Sequence, residues 1–226
     1  MATELRIGLI DSGHSPAQAS RVAGSRRFWL AGGELHEGEA QADRLGHGSA
    51  LLDTLAAQAG PLPVYVAQVF AERWATSPLQ VAAALHWLVE RRVALINLSL
   101  GLRNDRPVLR EACAMALEAG VLLCASSPAR GEPVFPASYP GVIRVTGDAR
   151  CAPGQWSWLD SPQADFGAPV NAASGLAGAS VACAALSGQI AAFLQDRPDA
   201  GREAVLEHLR SGAAFIGPER RGAEHG

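Results

Sequence analysis

The chain has 226 residues, 48% of them hydrophobic types and 18% charged, enough to enclose a sizeable core in a single domain spanning residues 1–226. Its 19 cationic residues are all Arg and lie scattered among 22 acidic ones, for a formal charge of -3. That balance excludes the basic stripe of a nucleic-acid binder and the cationic face of an anionic-membrane binder.

Short apolar runs alternate with helical patterns along the chain. Strands are expected at residues 6–10, 64–69, 94–98, 121–125 and 142–146, with helices over 48–58, 78–91 and 107–119 between them. Pro78 and Pro107 open two of these helices, where a missing N–H costs nothing. Within SGLAGASVACAALSGQIAAFL a further long helix of small residues opens after Gly178 and Ala179, and residues from about 212 to 226 read as a flexible C-terminal tail. Strand–helix–strand repetition predicts an α/β fold of three layers, a mostly parallel sheet covered by helices on both faces. In such sheets binding sites gather at the carboxyl ends of the strands.

The four cysteines, Cys113, Cys124, Cys151 and Cys183, show no paired close spacing, so a zinc site is not expected and neither is any cofactor. No apolar run is long enough to span a bilayer. The first strand begins within a few residues of Met1, leaving no room for a signal peptide, and the expectation is a cytoplasmic protein with reduced thiols.

Three polar residues stand at element ends. LRIGLIDSG stops an apolar strand at Asp11; RLGHGSALLDTLAAQ sets His47 between two glycines at a helix start; GASVACAALSG sets Ser180 at the mouth of the small-residue helix. Singly, they read as a turn starter, a loop histidine and an N-cap. Together they supply what a nucleophilic hydroxyl requires: an imidazole to take its proton and a carboxylate to hold that imidazole in one tautomer. A nucleotide-binding sheet would carry a Gly-rich loop after its first strand, and IDSGHSPAQAS has one Gly.

In this order IDSG, GHGSA, INLSLG, FPASYPGVIRVTG and GASVACAALSG resemble the subtilisin-like serine proteases over most of the chain. The resemblance implies that Asp11 orients His47, that His47 is general base and then acid, and that Ser180 is the nucleophile. It also implies that Ser99, Leu100 and Gly101 offer backbone groups to an extended peptide or protein substrate, with Ser126 and Ser127 nearby. Ala137 would wall the specificity pocket, its methyl group favouring small side chains before the scissile bond.

The chain departs from the family at the oxyanion site. Relatives carry Gly-Asn after the strand matching GVLLCAS, whereas Ser126, Ser127, Pro128, Ala129 and Arg130 stand here. Substitutes are the Ser180 backbone N–H, Ser127 and the Arg130 guanidinium. Ala50, Ala184 and Ala185 also depart from the usual residues beside the base and nucleophile. Short length and the altered loop resemble the small intracellular proteases that remove a leader peptide during quinohemoprotein amine dehydrogenase maturation, which implies one dedicated partner protein. The alternative is a catalytically weak or inactive peptide-binding module.

Overall fold

The computed structural model describes residues 4–219. In chain order its elements are β1 (Ile7–Asp11), a 3-10 turn (Pro16–Arg21), β2 (Val22–Ala31), β3 (Glu34–Gly38), α1 (His47–Ala59), β4 (Val64–Gln68) and α2 (Pro78–Glu90). There follow β5 (Leu95–Leu98), α3 (Pro107–Glu118), β6 (Leu122–Ser126), β7 (Ile143–Gly147), β8 (Ser157–Trp158) and β9 (Phe166–Ala168). The described chain ends with α4 (Ala179–Asp196), α5 (Arg202–Ser211) and β10 (Phe215–Ile216).

These strands form one ten-stranded sheet in the order β10-β8-β9-β7-β6-β5-β1-β4-β2-β3. The run from β9 to β2 is parallel, and β3 pairs antiparallel with β2 at one edge. Alternation along the central strands explains the three layers. On β6, Leu123 and Ala125 join the core beneath α2 and α3, while Leu122 and Cys124 join the core beneath α4 and α5. Two buried faces make the central strands mainly apolar, as expected of parallel sheets, with buried polar groups such as Asp11, Gln68 and Asn97 as exceptions.

Small residues let α4 approach α1 closely. A Cβ on Gly188 would lie 2.5 Å from the Leu55 carbonyl oxygen, so any side chain there would push the helices apart. Because α1 and α4 both start at the carboxyl edge of the sheet, this packing fixes the two helix starts relative to each other.

The expected strands and helices lie within about one residue of the observed ones. The expected flexible tail does not hold for its described part. Phe215 and Ile216 pair with Ser157 and Trp158, the Ala214 and Gly217 N–H groups donate to Trp156 and Trp158 carbonyls, and Arg150 stacks on Phe215. Residues 220–226 lie outside the described residues.

Candidate active site

Asp11 ends β1 with its side chain fully buried, and its Oδ1 lies 2.8 Å from His47 Nδ1. A carboxylate only accepts, so Nδ1 carries the proton and Nε2 keeps its lone pair. The Ser12 N–H also donates to Asp11 Oδ1, at 2.7 Å. Burial pushes the His47 pKa down, but the hydrogen bond and charge of Asp11, with the charge of Asp43 behind, outweigh that and raise it above 6.5.

The glycines around His47 have distinct physical roles. Gly46 adopts φ 73°, the left-handed turn that leads into α1. Gly48 sits against the backbone of Gly13 and donates its N–H to Ser12 Oγ at 2.8 Å. The helix start is capped by Asp43, whose carboxylate accepts from Gly46 N at 2.9 Å and from Ser49 N at 2.8 Å. Buried Gln68 donates to the Ser12 carbonyl and accepts from Gln41 N, joining the loop after β1 to the loop before α1.

Ser180 is the second residue of α4. Its hydroxyl donates to the Ser99 carbonyl at 3.3 Å, and Ser99 Oγ donates to the Ser180 carbonyl at 3.0 Å. Since β5 neighbours β1, this pair sits beside Asp11 at the carboxyl edge. The Ser180 hydroxyl must leave the Ser99 carbonyl before it can donate to His47; hydrogen bonds of this kind often tighten only with substrate bound. The Ser180 N–H lies in the first helical turn, among the donors that have no intrahelical acceptor, at the positive end of the helix dipole.

The remaining candidates divide. Among the described residues the backbone groups of Leu100 and Gly101 make no hydrogen bonds, leaving a free edge until Leu102 pairs with Phe135. Ser126 and Ser127 are buried at the end of β6, but the Ser127 hydroxyl donates to the Gln163 carbonyl at 2.6 Å and its N–H to the Val145 carbonyl at 2.7 Å. Arg130 is exposed and lines a cavity of about 610 Å³ with Thr146, Gln163 and Val170. Ala137 is 1% exposed and packs in the core, at the floor of a cavity of about 870 Å³ that Tyr139, Arg144 and Trp158 also line, so its methyl group is almost closed to solvent. The side chain facing the peptide edge is that of Val134: a Cβ on Gly101 would meet Val134 Cβ at 3.1 Å.

Sequence reasoning missed Asp43, Gln68, Val134 and Trp74. Asp43 had a signal, an Asp shortly before a helix start. Trp74 had none, yet its ring meets His47 at a centroid distance of 5.1 Å.

No family model matches the chain. It is 26% identical over 235 residues to a thermostable alkaline protease of Halalkalibacterium halodurans, covering 94% of this chain and 63% of that protein. The minor extracellular protease Epr of Bacillus subtilis is 27% identical over 154 residues, 63% of this chain and 23% of that protein. The subtilisin-like protease het-Q2 of Podospora anserina is 33% identical over 140 residues, 58% of this chain and 36% of that protein. The chain thus spans less than two thirds of the length of these curated relatives. Among solved structures, sphericase aligns with a TM-score of 0.71 and the S41 psychrophilic protease with 0.69, each at 18% identity, covering 93% of this chain and 83% of the other.

Proposed function

We propose that this chain, subtilisin-like in sequence and in fold, is a serine endopeptidase that hydrolyses a peptide bond with Asp11, His47 and Ser180. The observation that carries the reading is the buried Asp11 carboxylate bonded to His47 Nδ1 at the same sheet edge as the Ser180 hydroxyl. Ser180 Oγ attacks the scissile carbonyl as His47 Nε2 takes its proton, and Asp11 stabilises the resulting imidazolium. His47 returns the proton to the departing amine, and water then releases the acyl group by the same steps reversed. An extended substrate pairs with the free backbone of Leu100 and Gly101.

The oxyanion site is atypical in this reading. The Ser180 N–H is one donor, and no amide side chain stands at 126–130. With the Ser127 hydroxyl engaged by Gln163, the Ser126 hydroxyl and the Arg130 guanidinium are the nearby candidates for a second donor. A poorly furnished site makes small substrates slow, whereas a protein substrate can use binding energy far from the scissile bond to raise turnover. The role that fits is processing of one dedicated partner, such as leader-peptide removal, within the cell; the four buried free thiols support a reducing compartment.

Fluorophosphonate labelling tests the chemistry. The protein should label, Ser180→Ala should not, and His47→Ala should label far more slowly. Absence of labelling in the folded protein would leave the peptide-binding module as the better account. Comparing short chromogenic amides with intact protein substrates tests the finer role, and fast turnover of the amides would overturn dependence on a partner.

A further inference from the structure

Trp74 stands on the loop after β4 with 61% of its surface exposed. Its indole meets the His47 imidazole at 89°, ring centroids 5.1 Å apart, and leans on Phe70 at 5.8 Å. Phe70 is buried, in the same core as Leu100. Glu72 of this loop pairs with Arg44, three residues before His47, at 2.8 Å. Both partners are largely exposed, so the pair contributes little stability; it ties the Trp74 loop to the segment entering α1.

The sheet order gives the layout. At the carboxyl edge β5, β1 and β4 are consecutive, so Ser99 with Ser180 comes first, then Asp11 with His47, then Phe70 with Trp74. His47 therefore lies between the nucleophile and the indole. A large aromatic ring left mostly in water beside a buried acid–base pair gains little for folding, and it is the kind of surface that contacts a ligand.

An extended peptide points successive side chains to opposite sides. If the residue at the scissile bond turns toward Gly101 and Val134, the residue before it turns back toward His47 and the indole. We propose that Trp74 is a specificity residue, its indole forming an apolar wall beside His47 for the substrate residue immediately before the scissile one. The proposal rests on the serine-protease reading and adds its substrate class: peptides with an apolar residue preceding a small one.

The test compares the unmodified protein with Trp74→Ala and Trp74→Phe by two readouts. One is the rate of labelling by a small fluorophosphonate, which needs only the acid, base and nucleophile. The other is kcat and KM over peptides varied at the residue before the scissile one. For Trp74→Ala, kcat/KM on a peptide with Leu there should fall about 10- to 100-fold more than labelling does, mainly through KM, and the preference for Leu over Gly should flatten. Trp74→Phe should recover most of the difference. Equal losses in labelling and cleavage would show that the indole only steadies His47, and an unchanged preference would show that it touches no substrate; either overturns the proposal. Failure of the unmodified protein to label would overturn the protease reading instead.

Discussion

Gly48 lies so close to Gly13 that a Cβ there would sit 2.3 Å from the Gly13 carbonyl oxygen and 2.9 Å from its nitrogen. This contact sets the start of α1 directly on the end of β1, and with it the distance from His47 to Asp11. Gly48→Ala must separate the two and break the bond from Gly48 N to Ser12 Oγ. The expected result is about 1–3 kcal/mol lost from stability and a drop in labelling on the order of a hundredfold. Thermal melts alongside fluorophosphonate labelling measure both, and a fully active variant would show that the contact does not position His47.

Asp11→Asn keeps the shape of the site while removing the charge. An amide can donate to Nδ1, which moves the imidazole proton to Nε2 and leaves no base facing Ser180. Turnover should fall about ten-thousandfold near neutral pH, with far-ultraviolet circular dichroism unchanged. Retention of more than a tenth of the activity would mean that His47 is oriented by something else.

The raised pKa of His47 sets a pH dependence with two opposite parts. Catalysis needs the neutral imidazole, so kcat/KM should rise with pH through a midpoint above 6.5. The same shift stabilises the fold below the unfolded value near 6.5, and that contribution is lost as pH rises through the folded pKa. Replacing Asp11 removes the largest raising influence, so the midpoint of Asp11→Asn should move down. A rate profile measured in a constant-ionic-strength buffer decides this, and a midpoint below 6.5 in the unmodified protein contradicts it.

The central strands were legible because two buried faces impose continuous apolar runs, and α1 to α3 because Pro and small residues mark their starts. The β2–β3 hairpin was not, since VAGSRRFWLA mixes Arg and Ser into a strand next to the sheet edge whose faces are only half buried. Nor was β10, which owes its place to partners far along the chain: Arg150 donates to the Gly217 carbonyl while pairing with Asp148 at 2.7 Å. In the site, Asp11, His47 and Ser180 were legible because chemistry restricts the residue types. Ala137 was assigned to the pocket wall from its motif alone, and its burial depends on a chain path that a motif does not reveal.

Asp148 and Arg150 give a stability test outside the site. Burial raises the Asp148 pKa, but hydrogen bonds from Arg150 and Ser157 and the Arg150 charge outweigh it and hold the pKa below its ordinary value. The stabilisation is therefore present above about pH 4 and lost as pH falls through the folded pKa. Asp148→Ala strands the partly buried Arg150 and should cost about 2–4 kcal/mol, releasing β10 first. Limited proteolysis should then cut after residue 211 before the core is lost; unchanged resistance would show that β10 is held by its strand pairing alone.

Specificity at the scissile residue rests on Val134. Its Cβ and Cγ2 stand 3.1 Å from where a Gly101 Cβ would be, so the isopropyl group fills space beside the peptide edge that a smaller residue would leave open. Removing its three side-chain carbons should admit larger side chains, because even one methylene more or less in an apolar pocket changes discrimination by about 1–3 kcal/mol. Val134→Gly should therefore raise kcat/KM for peptides with Leu or Phe before the scissile bond by about 10- to 100-fold relative to those with Ala. Ala137→Gly, in contrast, opens a void in the core and should cost stability without changing the preference. Profiling both variants on one peptide library separates the two positions. A preference altered by Ala137→Gly and untouched by Val134→Gly would return the pocket wall to the Ala137 segment.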